Sequence, residues 1–520
     1  MIDGKLLIEK LIVYAQEFLG LVDLDVIYTR NVLLNLFKLS SPSKQKLTET
    51  AIKEIKELSV PDVLIEEIMA YAEQNEISTG EIEADLFANY VFGILTPKPS
   101  EINSTFMSLK EKVGSQAACD YLYNLSIKNY YIRKTAIDKN LKWDADDLDI
   151  PLEVTINLSK PEKNNKDVAK LLTAPQGDKY PACALCKENE GFYGHAKQAP
   201  RSNIRTISLN LGGEEWGMQY SPYLYFDEHC ILFNKTHTPM AINPKTIEKL
   251  LDFIELFPGY FVGSNADLPI VGGSILNHEH YQGGRHLMPL QKAPALKTLK
   301  SLEYNDVEVE VVDFYNSVIR ITGFNRNTVQ QLAGEIIVKW KGYTDESVGI
   351  VAEENGVKHN TVTPMVRFLN DNRYCVELIL RNNSTTEEYP DGVFHAHPEY
   401  HNIKKEGIGL IEAMGLYILP ARLKRQFGDI ANILARNVEY KPEEIANPEN
   451  DLYVHRDMIA NLMEKHTKVK DLAKANAIIT DYVNSVCAEI LYNTAVFKKD
   501  NQGVKAFNEF LYSCGLKSVK

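Results

Sequence analysis

In the segment Val271-Gly272-Gly273-Ser274-Ile275-Leu276-Asn277-His278-Glu279-His280-Tyr281-Gln282-Gly283-Gly284, two imidazoles and one amide recur at every second position, flanked by glycines. On an extended strand that spacing aims His278, His280 and Gln282 at one face, and glycine lets backbone approach a ligand closely. A neutral imidazole is a competent nucleophile toward phosphorus near neutral pH, and its second nitrogen can donate a hydrogen bond that fixes the tautomer. Two histidines permit two jobs. Read as structure alone, the same residues are satisfied, half-buried polar groups on a core strand.

A second pattern is Cys183-Ala184-Leu185-Cys186. Its thiolates stand at the separation that grips one tetrahedral zinc, with two ligands still to be found, and His237 and His278 are candidates for them. A redox disulfide is less attractive, because the flanks lack the strand-then-helix pattern of a thioredoxin-like site. Unliganded cysteines are the third reading. Cationic residues accompany both patterns: Arg201 and Arg205 follow the cysteines, Arg285 follows the histidines, and Lys404 and Lys405 precede Gly407-Ile408-Gly409. Arg clamps phosphate oxygens bidentately and Lys acts as a point charge, although each of these residues alone reads as an ordinary surface charge.

The elements that must position these groups change character along the chain. From Lys5 to about Trp143 apolar residues recur at three and four positions, as in Leu6-Leu7-Ile8, Leu11-Ile12 and Ala15, the period of amphipathic helices. Pro97-Lys98-Pro99-Ser100 interrupts the pattern, with Ser100 and Glu101 placed to cap a helix running through Phe106 and Leu109. A polar stretch from Asp144 to Asp178 reads as a boundary. Beyond it the period becomes two: Thr206 to Leu211, Tyr223 to Phe226, Cys230 to Phe233, Val307 to Thr322 and Tyr374 to Leu380 read as strands, with helical spacing from Pro244 to Leu256. His395-Ala396-His397 echoes His278-Glu279-His280 and suggests an internal duplication. Helix-like segments return after Pro420, including Leu452 to Lys465 and Ala473 to Phe497. The class is α+β with helical ends.

With 520 residues the chain exceeds the roughly 250 to 300 that one core serves, so more than one folding unit is expected. Apolar content of 44% and charged content of 24% are those of a globular protein, and no apolar run reaches the ~20 residues of a membrane span. The start, Met1-Ile2-Asp3-Gly4-Lys5, lacks a secretory pattern, which makes the cytoplasm the expected location. A net charge of −13 argues against a nucleic-acid-binding surface, so an anionic substrate would need locally placed cations. Seven cysteines, widely scattered, do not make a disulfide framework, and the five outside the close pair read as plain thiols.

With these residues assembled, the chain resembles the galactose-1-phosphate uridylyltransferases, the branch of the histidine-triad superfamily in which glutamine replaces the last histidine. It is most similar to the second class, found in Gram-positive bacteria. The resemblance runs through Ile82-Glu83-Ala84-Asp85-Leu86-Phe87, Glu215-Trp216-Gly217-Met218-Gln219-Tyr220-Ser221-Pro222-Tyr223, the stretch from Glu228-His229-Cys230-Ile231 to His237, and Gly407 to Leu423. It implies two histidine-triad-like antiparallel-sheet halves: a helical region 1–145, a first half 146–300, a second half 301–425 and a helical region 426–520. It implies a two-step exchange of a uridylyl group between UDP-glucose and galactose 1-phosphate through a covalent adduct on His280, with Gln282 on the phosphate oxygens. Arg201, Arg205, Asn265, Ser274, Asn277, Lys404, Lys405 and Glu412 become candidate substrate-binding residues. Cys183, Cys186, His237 and His278 match four ligands of a structural zinc, and His395 and His397 match part of a second metal site. The family commonly forms homodimers.

Here Glu279 and Tyr281 stand where the better-known class has Pro and Gly, with the carbonyl of residue 279 still able to accept from His280. Two competing readings are a hydrolase or phosphorylase of dinucleoside polyphosphates on the same histidine strand, and a zinc-braced nucleotide-sugar-binding module without turnover.

Overall fold

The computed structural model describes residues 2–78, 80–159, 180–195, 198–273 and 275–518. The chain folds as two compact units, each discontinuous in sequence: Met1–Lys139, Pro161–Thr238 and His278–Gly284 form the first, and Asn140–Lys160, Pro239–Asn277 and Arg285–Lys520 form the second. The α+β class with helical ends is what the structure has.

In the first unit the expected helical start is present, from Gly4–Phe18 through Ser115–Lys128 and the short Lys134–Ile137. Asp3 caps the first helix by accepting from Lys5 N–H at 2.9 Å, and Leu7, Leu11, Tyr14 and Ala15 form its buried stripe. The helix after the proline pair runs Pro99–Lys112. Its start is held by Glu101, which accepts from Lys98 N–H at 2.8 Å, so the cap sits two residues before the Ser100 expected from sequence.

Four strands follow as an antiparallel sheet in the order Ile207–Leu211, Glu214–Tyr220, Cys230–Asn234 and His280–Gly284. Asn103 closes the outer edge: its amide donates to Thr206 O and accepts from Ser208 N–H, each at 2.8 Å. Tyr223 to Phe226, expected as a strand, is a turn, because Pro222 supplies no N–H and Leu224 and Glu228 take left-handed φ values of 38° and 52°.

The second unit carries an antiparallel sheet in the order Leu516–Ser518, Ala295–Ser301, Val307–Val312, Val318–Gly323, Tyr374–Asn382, Asn360–Phe368 and Phe261–Gly263. Helices Pro244–Leu256 and Arg326–Lys341 pack on it, and Trp340 from the latter donates its buried Nε1–H to Thr361 O at 2.8 Å. A smaller sheet joins Leu141–Ala145, Leu152–Asn157 and Leu416–Pro420, the last two strands parallel. Leu152–Asn157 thus lies inside the stretch read as a boundary, of which 160–178 fall outside the described residues. Helices Arg422–Leu434, Arg456–Lys465 and Leu472–Thr494 supply the helical end. His395 to His397 is irregular backbone instead of a strand: Pro390 and Pro398 bracket it and Gly392 turns at φ 115°.

Candidate functional site

The strand His280–Gly284 pairs with Cys230–Asn234 in a register that sets Phe233 opposite His280, Leu232 opposite Tyr281 and Ile231 opposite Gln282. Because side chains alternate, His280 and Gln282 share one face with Phe233, Ile231 and His229, while Tyr281 shares the other with Leu232. His278 precedes the strand in a bend, so its ring is not bound to that alternation.

His278 points into the cysteine cluster. Its Nδ1 lies 3.1 Å from Cys183 Sγ and 3.8 Å from Cys186 Sγ, the two sulfurs are 3.5 Å apart, and His237 Nδ1 is 3.0 Å from Cys186 Sγ. All four ligand atoms fall within 4.8 Å of one another, and among the described residues this is the one such group. The donor set fits a metal ion. His278 Nε2–H donates to Asn234 O at 2.7 Å, which places the lone pair on Nδ1, facing the sulfurs. Asn189 shapes the cysteine loop by donating to both Cys183 O and Cys186 O at 2.8 Å.

His280 is buried, and its Nδ1 donates to the carbonyl of His278 at 2.8 Å. The expected acceptor, the carbonyl of Glu279, is taken instead by Asn234 N–H at 3.0 Å. With the proton on Nδ1, the lone pair of the neutral ring is on Nε2. Burial pushes the His280 imidazole below its ordinary value, favouring that neutral form.

Glu279 and Tyr281 brace the strand from its other side. Glu279 Oε1 accepts from the Tyr281 hydroxyl at 2.8 Å and Oε2 accepts from Asn234 Nδ2 at 3.0 Å, while Tyr281 stacks on Trp216 with centroids 4.7 Å apart. Stiffness that a proline would supply through its ring comes here from a buried polar triad and an aromatic stack.

Two residues that sequence reasoning missed hold this arrangement. Asn234 bonds His278 through its carbonyl and Glu279 through both its N–H and its side chain. His229 places Nε2 at 3.0 Å from Gln282 Oε1. Only the strand register could have exposed either, since they lie 44 and 53 residues from their partners.

The remaining candidates divide. Arg205 uses all five N–H groups on backbone carbonyls: Nε on Pro97, Nη1 on Ser202 and Ile204, and Nη2 on Gly93 and Thr96, at 2.6 to 3.0 Å. This corrects the expectation of phosphate binding, because no donor is left to offer. Arg201 is half-buried, bonded to Pro200 O at 3.0 Å. Ser274 lies outside the described residues.

In the second unit, Asn265 Oδ1 accepts from Leu410 N–H at 2.8 Å, and a Cβ on Gly273 or Gly409 would come within 2.6 or 2.9 Å of its amide, so both glycines are needed for its fit. Lys404 is buried and bonds Glu412 Oε1 at 3.0 Å, whereas Lys405 and Asn277 are exposed.

His395 and His397 do not join a cluster of three or more metal-ligating side chains among the described residues. His395 Nε2 accepts from Ile408 N–H at 3.1 Å, His397 Nε2–H donates to Val393 O at 3.1 Å, and no third ligand joins them among the described residues. Burial, then Arg381, His401 and Lys404, drive the His395 imidazole down to about 3.

Comparison with known proteins agrees with the sequence pattern. The family model for the N-terminal domain of galactose-1-phosphate uridyl transferase matches residues 23–239, and that for the C-terminal domain matches 253–447. A galactose-1-phosphate uridylyltransferase of Caldanaerobacter subterraneus subsp. tengcongensis is 40% identical over 526 residues, covering 99% of both chains. Those of Clostridium acetobutylicum and Ligilactobacillus salivarius are 39% and 40% identical, covering 97% and 99% of this chain and 98% and 99% of their own. No solved structure matches. No helix among the described residues is long and apolar enough to cross a membrane.

Proposed function

The chain belongs to the galactose-1-phosphate uridylyltransferase family, and from that premise we propose that it exchanges a uridylyl group between UDP-glucose and galactose 1-phosphate, with His280 as nucleophile. The observation that carries the residue assignment is the bond from His280 Nδ1 to His278 O, which puts the ring's lone pair on Nε2. Nε2 attacks the α-phosphorus of UDP-glucose, the bond from that phosphorus to the bridging oxygen breaks, and glucose 1-phosphate leaves with the electron pair. A phosphate oxygen of galactose 1-phosphate then attacks the same phosphorus, the P–N bond breaks, and UDP-galactose leaves a neutral His280. During the intermediate the ring is cationic, and the His278 carbonyl facing Nδ1–H stabilises it.

Gln282 holds non-bridging phosphate oxygens. An amide neither protonates a leaving group nor activates water, which favours transfer over the hydrolase reading. Cys183, Cys186, His237 and His278 hold zinc, which when bound braces the histidine segment from behind. Arg201, Asn265, Ser274 and Asn277 are assigned to the nucleotide and phosphates, and Lys404 or Lys405 with Glu412 to the sugar 1-phosphate. The sequence segments 1–145, 146–300, 301–425 and 426–520, a cytoplasmic location and a homodimer belong to the same reading.

The test is incubation with UDP-glucose labelled at the α-phosphate. Label retained by the wild type and absent from His280→Ala supports the proposal. Substrate binding without retained label in the wild type leaves the binding-module reading in its place.

A further inference from the structure

His229 belongs to none of the roles assigned above, yet it is 1% exposed and Gln282 is its hydrogen-bond partner. Its place follows from the register: Ile231 lies opposite Gln282, so His229, two residues earlier on the same face, is the diagonal neighbour. The ring is fixed by its own chain, tilted against Phe226 at 4.5 Å and stacked near Tyr225 at 5.4 Å.

A histidine facing an amide can meet either end of it, so the tautomer decides. His229 Nδ1 is buried without a hydrogen-bond partner. A proton there would leave a buried donor unsatisfied, whereas a bare lone pair costs less. The proton therefore sits on Nε2 and donates to Gln282 Oε1. Burial holds the ring neutral, its imidazole brought down to about 4 with the Gln282 contact opposing, so this tautomer persists across the neutral range.

We propose that His229 is a positioning residue: by occupying Gln282 Oε1 it fixes the flip of the amide, so that both amide N–H donors are presented together to a phosphoryl group. A glutamine free to turn over would offer an oxygen to an anionic phosphate half the time, and oxygen against oxygen repels. The inference rests on the phosphate-holding role proposed for Gln282.

Two measurements test it. In protein labelled with 15N-histidine, the His229 ring should show the Nε2–H tautomer at pH 7. An Nδ1–H tautomer overturns the inference whether or not the transferase reading stands. In single-turnover formation of the uridylyl-enzyme, His229→Phe, which keeps the ring and removes the donor, should slow the step about tenfold, the factor of one ordinary hydrogen bond. His229→Gln, which restores an N–H at the same reach, should recover most of that loss. In a Gln282→Ala background His229→Phe should have no further effect, because it acts through the amide. Wild-type rate in His229→Phe, or an undiminished loss in the Gln282→Ala background, overturns the inference while the wild-type label retains the function. Unfolding midpoint and metal content equal to wild type establish that each variant is folded.

Discussion

His280 donates its Nδ1–H to the carbonyl oxygen of His278 at 2.8 Å, so the residue that turns its own ring into the cysteine cluster also fixes the ring two positions ahead. The coupling runs through backbone. Whatever holds His278 still thereby sets which nitrogen of His280 carries the lone pair.

Removing a sulfur should therefore reach the chemistry without touching it. Cys183→Ser is expected to lower bound metal well below one equivalent by elemental analysis and to slow adduct formation at least tenfold. His280→Ala should abolish the adduct at unchanged metal content. Equal, negligible metal in wild type and Cys183→Ser would remove the metal assignment.

Glu279 and Tyr281 should act on stability. Tyr281→Phe takes one hydrogen bond from the carboxylate and is expected to cost about 1 kcal/mol in denaturant unfolding; Glu279→Ala, which takes the shared acceptor from Asn234 and Tyr281, roughly 2–4 kcal/mol. A Glu279→Ala protein as stable as the wild type would contradict the bracing role.

The two arginines after the cysteines should separate cleanly. Arg205→Ala strands five carbonyl contacts and is expected to lower stability by roughly 2–4 kcal/mol. Arg201→Ala should leave the unfolding midpoint nearly unchanged and raise KM for UDP-glucose. The reverse pattern, with Arg205 affecting KM alone, would restore the phosphate role that the hydrogen bonds deny it.

Stability should also fall on mild acidification. His455 is buried, donates from Nε2 to Gln426 Oε1 at 3.1 Å and accepts at Nδ1 from Asn402 Nδ2 at 3.3 Å, so a second proton would set donor against donor. Burial, then Arg422, carries its imidazole down from 6.5 to about 4. The unfolded chain protonates first, so the contribution is complete above about pH 6.5 and is lost as pH falls toward 4, roughly 3 kcal/mol in all. His229 and His395 add to the loss with the same sign. Denaturant unfolding at pH 7 and pH 5 should differ less in His455→Gln than in wild type, and an equal difference would exclude His455 as a source.

What the sequence made legible follows from local physics. Helix period gave the first 140 residues, and strand alternation found Cys230–Asn234 and Tyr374–Asn382, because each pattern is written in consecutive side chains. The cysteine pair and its histidines were legible because metal chemistry restricts residue type. Tyr223 to Phe226 misled because its aromatics pack around His229 from a turn, and His395 to His397 because a two-residue spacing says nothing of the prolines beside it. Arg205 looked like a phosphate ligand because charge is visible in sequence and five carbonyl partners are not. Asn234 and His229 needed the pairing register, which is a property of two distant segments.

Asn234 gives that register a further meaning. One residue joins the two strands by its carbonyl, its N–H and its amide, to His278 and to Glu279. A slip of one position would move every side chain of His280–Gly284 to the opposite face and break all three bonds together. A misthreaded chain would thus lose the contact that turns the His278 ring toward the cysteines and, with it, the backbone carbonyl that orients His280.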